Sequence, residues 1–293
     1  MLHPQTLINC AGQLLDLSRP RVMGILNLTP DSFYDGGRYD SEQRAMAQVE
    51  RMLSEGAAII DVGGMSSRPG AKVIDTQEEL QRVLPTIKAI KQHFPQAIIS
   101  IDTIRGEVAR QAVEAGAAIV NDISAGSLDP MLLPTVADLG VPYILMHLQG
   151  RPETMQDNPQ YQDVVLEVLD FFCQKIAELR QLGIGDILLD PGFGFGKKLE
   201  HNYELLTRMN VFQIPGLPVL AGVSRKSMIY KYLKVKPEEA LNGTSALHMI
   251  ALQQGARILR VHDVKAAIEV VQLWEMCAAV GENCGEDVKL QKK

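Results

Sequence analysis

The 293 residues, of which 46% are hydrophobic and 22% are charged, have the composition of a globular protein with a large core. The formal net charge of -6 argues against a protein that neutralises nucleic-acid phosphates, so we expect no nucleic-acid partner. The four cysteines form no C-x-x-C pair and no zinc-ligand pattern with histidine. Since no signal peptide or membrane-spanning apolar run is recognisable, we predict a cytoplasmic protein without a membrane partner.

The chain begins with an alternation of apolar and polar residues over Thr6–Leu17, around a turn at Ala11-Gly12. This pattern predicts a small hairpin that covers one end of the core. Eight apolar strands are predicted after it, each followed by a helical pattern. They are Val22–Leu26, Ala58–Ile60, Ile98–Ile101, Ile119–Val120, Tyr143–Met146, Ile187–Leu189, Val219–Ala221 and Ile258–Leu259. A capping box at Thr76 and Glu79 predicts the start of one of the helices.

Three of the strands are preceded by the same short pattern, in which a helix is closed by Gly56, Gly116 or Gly255. Glycine supplies a left-handed helix cap, and a continuously apolar strand is typical of a parallel sheet covered on both faces. Eight such units predict a (β/α)8 TIM barrel. A doubly wound open sheet is the alternative, but the strand count and the lack of a dinucleotide fingerprint favour the barrel. We predict one domain over 1–293, with the hairpin within 1–20 and a polar tail over 279–293.

The stretch Ile187–Lys197 superficially resembles a phosphate-binding loop. A Walker loop would require Gly where Pro191 stands and Ser or Thr where Lys198 stands, and a dinucleotide turn would require Gly in place of Lys197. We therefore interpret it as a buried strand that ends in Asp190, followed by a glycine-rich loop. Lys197 is expected to be either a solvated cation or a ligand contact.

Polar residues follow the predicted strands, and in a barrel these strand ends converge on one face. Each could cap a helix, but together they predict a polar ligand. One subset offers acceptors and a cation to a flat heterocycle with adjacent N–H donors and a carbonyl. It consists of Asp102, Asn121, Asp190 and Lys226. A second subset could hold phosphate oxygens, with an amide available to a divalent metal. It consists of Asn27, Ser67, Arg68, Arg260 and His262. Asp61 and His147 also follow predicted strands and belong to the same polar ring of strand ends.

Several separate motifs, in order along nearly the whole chain, resemble those of the dihydropteroate synthase family of bacterial folate biosynthesis. They are VMGILNLTPDSF (Val22–Phe33), IIDVGG and SRPGA (within Ile59–Ala71), Ile101-Asp102, NDI from Asn121, LMH from Leu145, LLDPGFGFGK from Leu188, SRKS from Ser224 and RVHDV from Arg260.

The resemblance implies that the pterin ring of 6-hydroxymethyl-7,8-dihydropterin diphosphate binds the first subset. Its diphosphate would bind the second subset, with Mg²⁺ as cofactor at Asn27. The other substrate, p-aminobenzoate, would lie near Pro69, Phe195, Ser224 and the amino end of the helix after Lys226. The products would be 7,8-dihydropteroate and diphosphate, and the family suggests a homodimer. The residues expected to act in catalysis are Asp102, Lys226, Arg260 and His262.

The chain departs from the family at one loop, where the usual Gly-Gly-Glu-Ser-Thr-Arg-Pro-Gly has Met65 and Ser67 at the Glu and Thr positions. Methionine cannot replace the hydrogen bonds of a carboxylate. This departure keeps open one alternative, a non-catalytic pterin-binding protein. A second alternative is a pterin-dependent methyltransferase, but such a protein needs no diphosphate site, so Arg68, Arg260 and His262 argue against it. The loops Thr29–Tyr39 and Gly63–Lys72 are rich in Gly, Ser and Pro, and we expect them to close over ligand.

Overall fold

The strands form a short hairpin and a closed barrel in the structure, a computed structural model that describes residues 4–28, 37–65, 74–151 and 154–290. The strands are β1 (Leu7–Cys10), β2 (Gln13–Asp16), β3 (Arg21–Asn27), β4 (Ile59–Gly63), β5 (Ile98–Asp102), β6 (Ile119–Asp122), β7 (Tyr143–Met146), β8 (Ile187–Asp190), β9 (Val219–Ala221) and β10 (Ala256–Val261). The antiparallel pair β1–β2 confirms the predicted hairpin.

The barrel is closed by parallel pairing of its first and last strands, β3 and β10. Its strand order, β10-β3-β4-β5-β6-β7-β8-β9, confirms the predicted (β/α)8 fold and excludes the open sheet. The helices of the described residues are α1 (Gly37–Ser54), α2 (Thr76–His93), α3 (Gly106–Glu114), α4 (Leu132–Leu139), α5 (Val164–Gln181), α6 (Leu199–Thr207), α7 (Ser227–Leu233), α8 (Leu241–Gln253) and α9 (Val264–Leu290). The described residues contain no helix that is long and apolar enough to span a membrane.

The amino-terminal end of the barrel is sealed by apolar side chains. Each of the eight strands contributes one residue to this cluster, and the hairpin covers it with Ile8, Cys10, Leu15 and Leu17. The layer residues are Met23, Ile59, Ile98, Ile119, Ile144, Leu188, Leu220 and Ile258. The prediction that the hairpin covers one end of the core is therefore confirmed, and the polar strand ends lie at the opposite face.

One prediction about a helix end is wrong. The cap of α2 is Asp75, whose side chain accepts a hydrogen bond from the Glu78 amide at 2.8 Å, and not a capping box at Thr76 and Glu79. Glu79 instead lies inside the protein, paired with Arg105. The predicted polar tail is helical up to residue 290, because α9 continues to Leu290. Adding residues to an existing helix costs far less free energy than nucleating a new one. Helix α9 therefore continues through residues whose apolar periodicity is weak.

Candidate active site

Arg260 joins two carboxylates at the carboxyl-terminal face of the barrel. Its Nε donates to Asp61 Oδ2 and its Nη2 donates to Asp102 Oδ2, both at 2.6 Å. Asn121 Nδ2 also donates to Asp61 Oδ2, at 3.2 Å. Asp61 and Arg260 lie within β4 and β10, not beyond the strand ends as predicted, so their side chains meet among the strands. One guanidinium thus links β4, β5 and β10 by charge-assisted hydrogen bonds.

The electrostatics of this group are dominated by burial. Burial raises the pKa of Asp102 to about 7, opposed by Arg260 and reinforced by the charge of Asp61. Burial would lower the pKa of Arg260, but the carboxylates of Asp61 and Asp102 outweigh it and raise that pKa above its ordinary value. Arg260 is therefore a permanent cation, while Asp102 gains and loses its proton most easily near neutrality. We call Asp61, Asp102, Asn121 and Arg260 the carboxylate clamp.

Asn27 faces the carboxylate clamp. Strand register places Asn27 beside Gly63, Gly63 beside Asp102, and Asp102 beside Asn121. A β-carbon on Gly63 would stand 3.6 Å from Asn27 Oδ1 and 3.8 Å from Asp102 Oδ2. The two oxygens therefore border the same space, which the absence of a side chain at Gly63 leaves open.

Asp190 and Lys226 form a second polar group at this face. A β-carbon on Gly222 would lie 3.9 Å from both Asp190 Oδ2 and Lys226 Nζ, so the carboxylate and the ammonium border one space. The backbone N–H of Gly192 donates to Asp190 Oδ1 at 2.8 Å. Burial raises the pKa of Asp190, and Lys226 opposes that rise. Burial also lowers the pKa of Lys226 to about 8, an effect that Asp190 opposes.

Phe195 lies next to this pair. Lys226 Nζ stands 4.6 Å from the centre of the Phe195 ring and donates a hydrogen bond to the backbone carbonyl of Phe193. An ammonium over an aromatic face is attracted by the ring's electron density. The same lysine therefore contacts the Phe195 ring and borders the space next to Asp190.

The loops after β9 and β10 are joined by two consecutive pairs. Ser224 Oγ lies 3.1 Å from His262 Nδ1 and accepts from the His262 backbone N–H at 3.2 Å. The next residues, Arg225 and Asp263, make a two-pronged ion pair with both N–O distances at 2.7 Å. The sequence pointed to Ser224 and His262 but missed the ion pair, although its members directly follow them.

Three predicted site residues, Ser67, Arg68 and Pro69, lie outside the described residues, as do most of the two loops expected to close over ligand. Of the predicted phosphate subset, the structure therefore places Asn27, Arg260 and His262. It brings all four members of the predicted heterocycle subset to one face.

Comparison with known proteins identifies the family. The model of a family described as pterin binding enzymes matches residues 23–262. The dihydropteroate synthase of Escherichia coli strain K12 is 50% identical over 274 residues, which cover 93% of this chain and 96% of that protein. The chain belongs to the dihydropteroate synthase family. It is therefore an enzyme, a transferase.

Solved structures of the family have the same fold. The Xanthomonas albilineans dihydropteroate synthase with 4-aminobenzoic acid superposes with a TM-score of 0.87 at 43% identity, covering 94% of this chain and 98% of that one. The same enzyme in complex with 7,8-dihydropteroate gives a TM-score of 0.84 at 41% identity, covering 93% and 99%. The family resemblance drawn from the sequence motifs is thus confirmed over the whole barrel.

The structure contradicts the expectation that Lys197 is a solvated cation. The side chain is only 3% exposed, so it is not a solvated cation, and its Nζ is hydrogen-bonded to the protein. One of its partners is His147 Nδ1, at 3.0 Å. Burial, followed by the charge of Lys197, lowers the pKa of His147 to about 2. His147, predicted in the polar ring, is thus a neutral structural group packed edge-on against Phe171.

Another buried pair was missed by the sequence analysis. Arg105 donates to the fully buried Glu79 and to the backbone carbonyl of Ile74, while Arg82 donates to the carbonyl of Gly64 at 2.8 Å. Gly64 and Ile74 flank the segment that contains the predicted Ser67 to Pro69 contacts. An acid in the first turn of a helix normally indicates a favourable dipole interaction, so no sequence signal marked Glu79 as the partner of Arg105.

Proposed function

We propose that this chain joins 6-hydroxymethyl-7,8-dihydropterin diphosphate to p-aminobenzoate, giving 7,8-dihydropteroate and diphosphate. The observation that carries this proposal is the pairing of two groups at one face: the carboxylate clamp, and Asp190 with Lys226. In the reaction the amine forms a C–N bond to the pterin methylene, the C–O bond to diphosphate breaks, and the amine loses a proton. The protein's main task is to hold the pterin and to stabilise the departing charge.

We assign the pterin ring to Asp102, Asn121, Asp190 and Lys226. A carboxylate such as Asp190 can accept two parallel N–H bonds from the amino-pyrimidinone edge, while the Lys226 ammonium donates to the ring carbonyl. Supporting this, Asp190 and Lys226 border one space over Gly222. Asp102 and Asn121 are held in place by the bonds of the carboxylate clamp, so they are pre-organised for a flat ligand.

We assign the diphosphate to Arg260, His262 and Asn27, together with Ser67 and Arg68. Arg260 uses its Nε and Nη2 on the two carboxylates, and no described residue accepts a hydrogen bond from its Nη1. That edge is available to an anion. His262 follows Arg260 by two residues and is exposed, and we assign its imidazole to a phosphate oxygen as a hydrogen-bond donor.

Mg²⁺ fits this face by the chemistry of its donors. The ion commonly binds through one or two protein oxygens and otherwise through phosphate oxygens and water. Asn27 Oδ1 borders the open space over Gly63, and no described residue donates a hydrogen bond to it. The described residues contain no cluster of three or more His, Cys, Asp or Glu that could hold a metal alone. When bound, Mg²⁺ would neutralise charge on the diphosphate.

We place p-aminobenzoate between Phe195, Ser224 and Pro69, with its carboxylate near the start of α7. Helix α7 begins at Ser227, directly after Lys226, so its first backbone N–H groups lie beside the site. Phe195 is half-buried beside Lys226 and can pack on the aminobenzoate ring.

One assay tests the function. Purified protein supplied with the pterin diphosphate, Mg²⁺ and p-aminobenzoate should release diphosphate and form dihydropteroate in equal amounts, and chelation of Mg²⁺ should slow both. A pterin-dependent methyltransferase would release no diphosphate, and a non-catalytic pterin-binding protein would bind the pterin without turnover. Diphosphate release that is independent of the amine would contradict the proposal.

Lys226→Ala should weaken binding of the pterin diphosphate by about 10- to 100-fold, the effect of losing a charged hydrogen bond. Because the Lys226 pKa is lowered to about 8, the wild-type affinity should fall as pH rises through that value, as the ammonium becomes a neutral amine. The variant should lack this pH dependence. Titration calorimetry over that pH range is the measurement, and an unchanged pH profile in the variant would contradict the assignment.

We further propose a single domain, a cytoplasmic location and a homodimer. The hairpin and α9 both pack on the one barrel, which supports a single unit. Cys10, Cys173 and Cys277 are free thiols, as expected in a reducing compartment. Exposed apolar side chains such as Tyr232, on α7, offer surface that a second copy could cover.

A further inference from the structure

Lys197 is a buried lysine that the proposed chemistry does not use, and burial lowers its pKa to about 7. Its Nζ lies within hydrogen-bond distance of four acceptors, which its three N–H groups share: His147 Nδ1 at 3.0 Å, His147 O at 3.2 Å, Gly192 O at 2.9 Å and Phe195 O at 2.9 Å. Burying an ammonium is costly unless its donors are satisfied, and here the protein supplies acceptors for all of them. The residue thus ties both ends of the loop Gly192–Phe195 to the end of β7.

The rest of this loop is held by side chains as well. Gly194 O accepts from Gln156 Nε2 at 2.6 Å, and Gly196 O accepts from the Tyr161 hydroxyl at 2.8 Å. Together with the bonds from Lys197 and Lys226, every backbone carbonyl from Gly192 to Gly196 accepts a side-chain hydrogen bond. The loop has no regular secondary structure, so these bonds, and not strand or helix pairing, determine its shape.

Lys197 differs from the other loop donors in where it acts. It is bonded to the carbonyl of Phe195 itself, and Phe195 carries the ring that stands against Lys226. Its other carbonyl partner in the loop, Gly192, also donates its N–H to Asp190. The Lys197 side chain is therefore bonded directly to the backbone of Phe195 and, through Gly192, indirectly to the carboxylate of Asp190.

We propose that Lys197 is a positioning residue that sets the affinity for p-aminobenzoate by fixing the backbone of Phe195. This inference rests on the proposed function, in which the Phe195 ring packs on that substrate. Without the Lys197 side chain, the half-buried Phe195 carbonyl would lose its donor and the buried Gly192 carbonyl would keep only the Phe195 N–H, at 3.1 Å, so the loop would rearrange to hydrate them. The Phe195 ring would then no longer be held in one place. The pterin contacts of Asp102 and Asn121 would be unaffected, because the carboxylate clamp holds them independently.

The test compares Lys197→Met with Lys198→Met, a change at the neighbouring, partly exposed lysine. In Lys197→Met we expect the KM for p-aminobenzoate to rise about tenfold or more, the effect of lost positioning contacts, while the pterin diphosphate Kd rises by a clearly smaller factor, because only Asp190 among the pterin residues is bonded to this loop backbone through Gly192. Lys198→Met should leave both unchanged. Equal losses for both ligands would show a general structural defect and overturn the inference.

A double substitution makes the test specific. In a Phe195→Ala background, the ring that Lys197 positions is absent, so adding Lys197→Met should change the KM for p-aminobenzoate by less than about twofold. A full tenfold effect in that background would overturn the inference.

Should Lys197→Met fail to fold, Tyr161→Phe removes only the hydrogen bond to Gly196 O and should raise the same KM about threefold, by the usual weight of one neutral hydrogen bond. No rise would count against control of Phe195 by the loop backbone. Wild-type protein that makes no dihydropteroate would refute the proposed function and this inference together. Wild-type turnover with an unaffected Lys197→Met variant would refute the inference alone.

Discussion

Arg260→Ala is expected to lower kcat/KM by about a thousandfold or more, the loss typical of removing a group that stabilises transition-state charge. It should also lower the free energy of unfolding by about 3–5 kcal/mol, because it leaves the carboxylates of Asp61 and Asp102 without their cation. If its Nη1 edge holds diphosphate, binding of the pterin diphosphate should weaken far more than binding of free hydroxymethylpterin. Equal losses for the two ligands would show that the residue acts only through the carboxylate clamp.

The matched control is Arg257→Ala. Arg257 lies in the same strand, but its guanidinium donates to the carbonyl of Ser18, towards the hairpin. This exposed contact should contribute little, so both kcat/KM and stability should remain close to wild type. Urea unfolding and steady-state kinetics on the two variants separate loss of the clamp from loss of a surface arginine.

The pH dependence of the Arg260→Ala variant gives a further readout of the same prediction. Arg260 holds the pKa of Asp102 down, so removing it raises that pKa above the wild-type value of about 7. A carboxyl group with a raised folded-state pKa binds a proton more tightly in the folded than in the unfolded state. Stability of the variant should therefore increase as pH is lowered from about 8 to about 6. A stability loss that is constant over this range would contradict the electrostatic explanation.

Gly192→Ala should be the most destabilising change in the glycine-rich loop. Gly192 has φ +69°, and a β-carbon there would stand 2.0 Å from the backbone oxygen of His147. Both the backbone conformation and the contact exclude a side chain, so we expect a loss of about 3 kcal/mol or more, as for other severe steric conflicts. The loop must also move away from β7, which would displace Asp190 and Lys197 and reduce activity.

Gly185→Ala provides the comparison for this substitution. A β-carbon at Gly185 would meet no atom within 4 Å. Its effect on the free energy of unfolding, measured by urea denaturation, should stay within about 0.5 kcal/mol, as for other unstrained surface changes. Similar midpoints for the two variants would mean that the loop is not packed against β7 as described.

The fold was predictable because its signals are local. Apolar strands and the glycine caps at Gly56, Gly116 and Gly255 are features of short stretches, and all three glycines have the expected positive φ. The positions of the strand ends then follow from barrel geometry, which is why Asp102, Asn121, Asp190 and Lys226 could be assigned to one face. The family motifs added the chemistry of the ligand.

The connections between these residues were not predictable, because they depend on how distant segments pack. Asp61 and Arg260 are 199 residues apart, and only closure of the barrel brings them together. Lys197 follows a flexible-looking glycine run, so its sequence context is that of a surface residue. Its burial results from the contact of that run with His147, 50 residues earlier in the chain.

Because the amino-terminal end of the barrel is sealed by apolar side chains, ligands reach the site from the opposite face. Within the described part of the chain, Ile8 and Leu17 of the hairpin, with the layer of strand residues beneath them, leave no passage for a polar ligand through the barrel axis. Whatever reacts at the polar rim must arrive and depart on that same side. The two products therefore leave along the route by which the next substrates approach, so slow product departure would directly limit the rate of the following cycle.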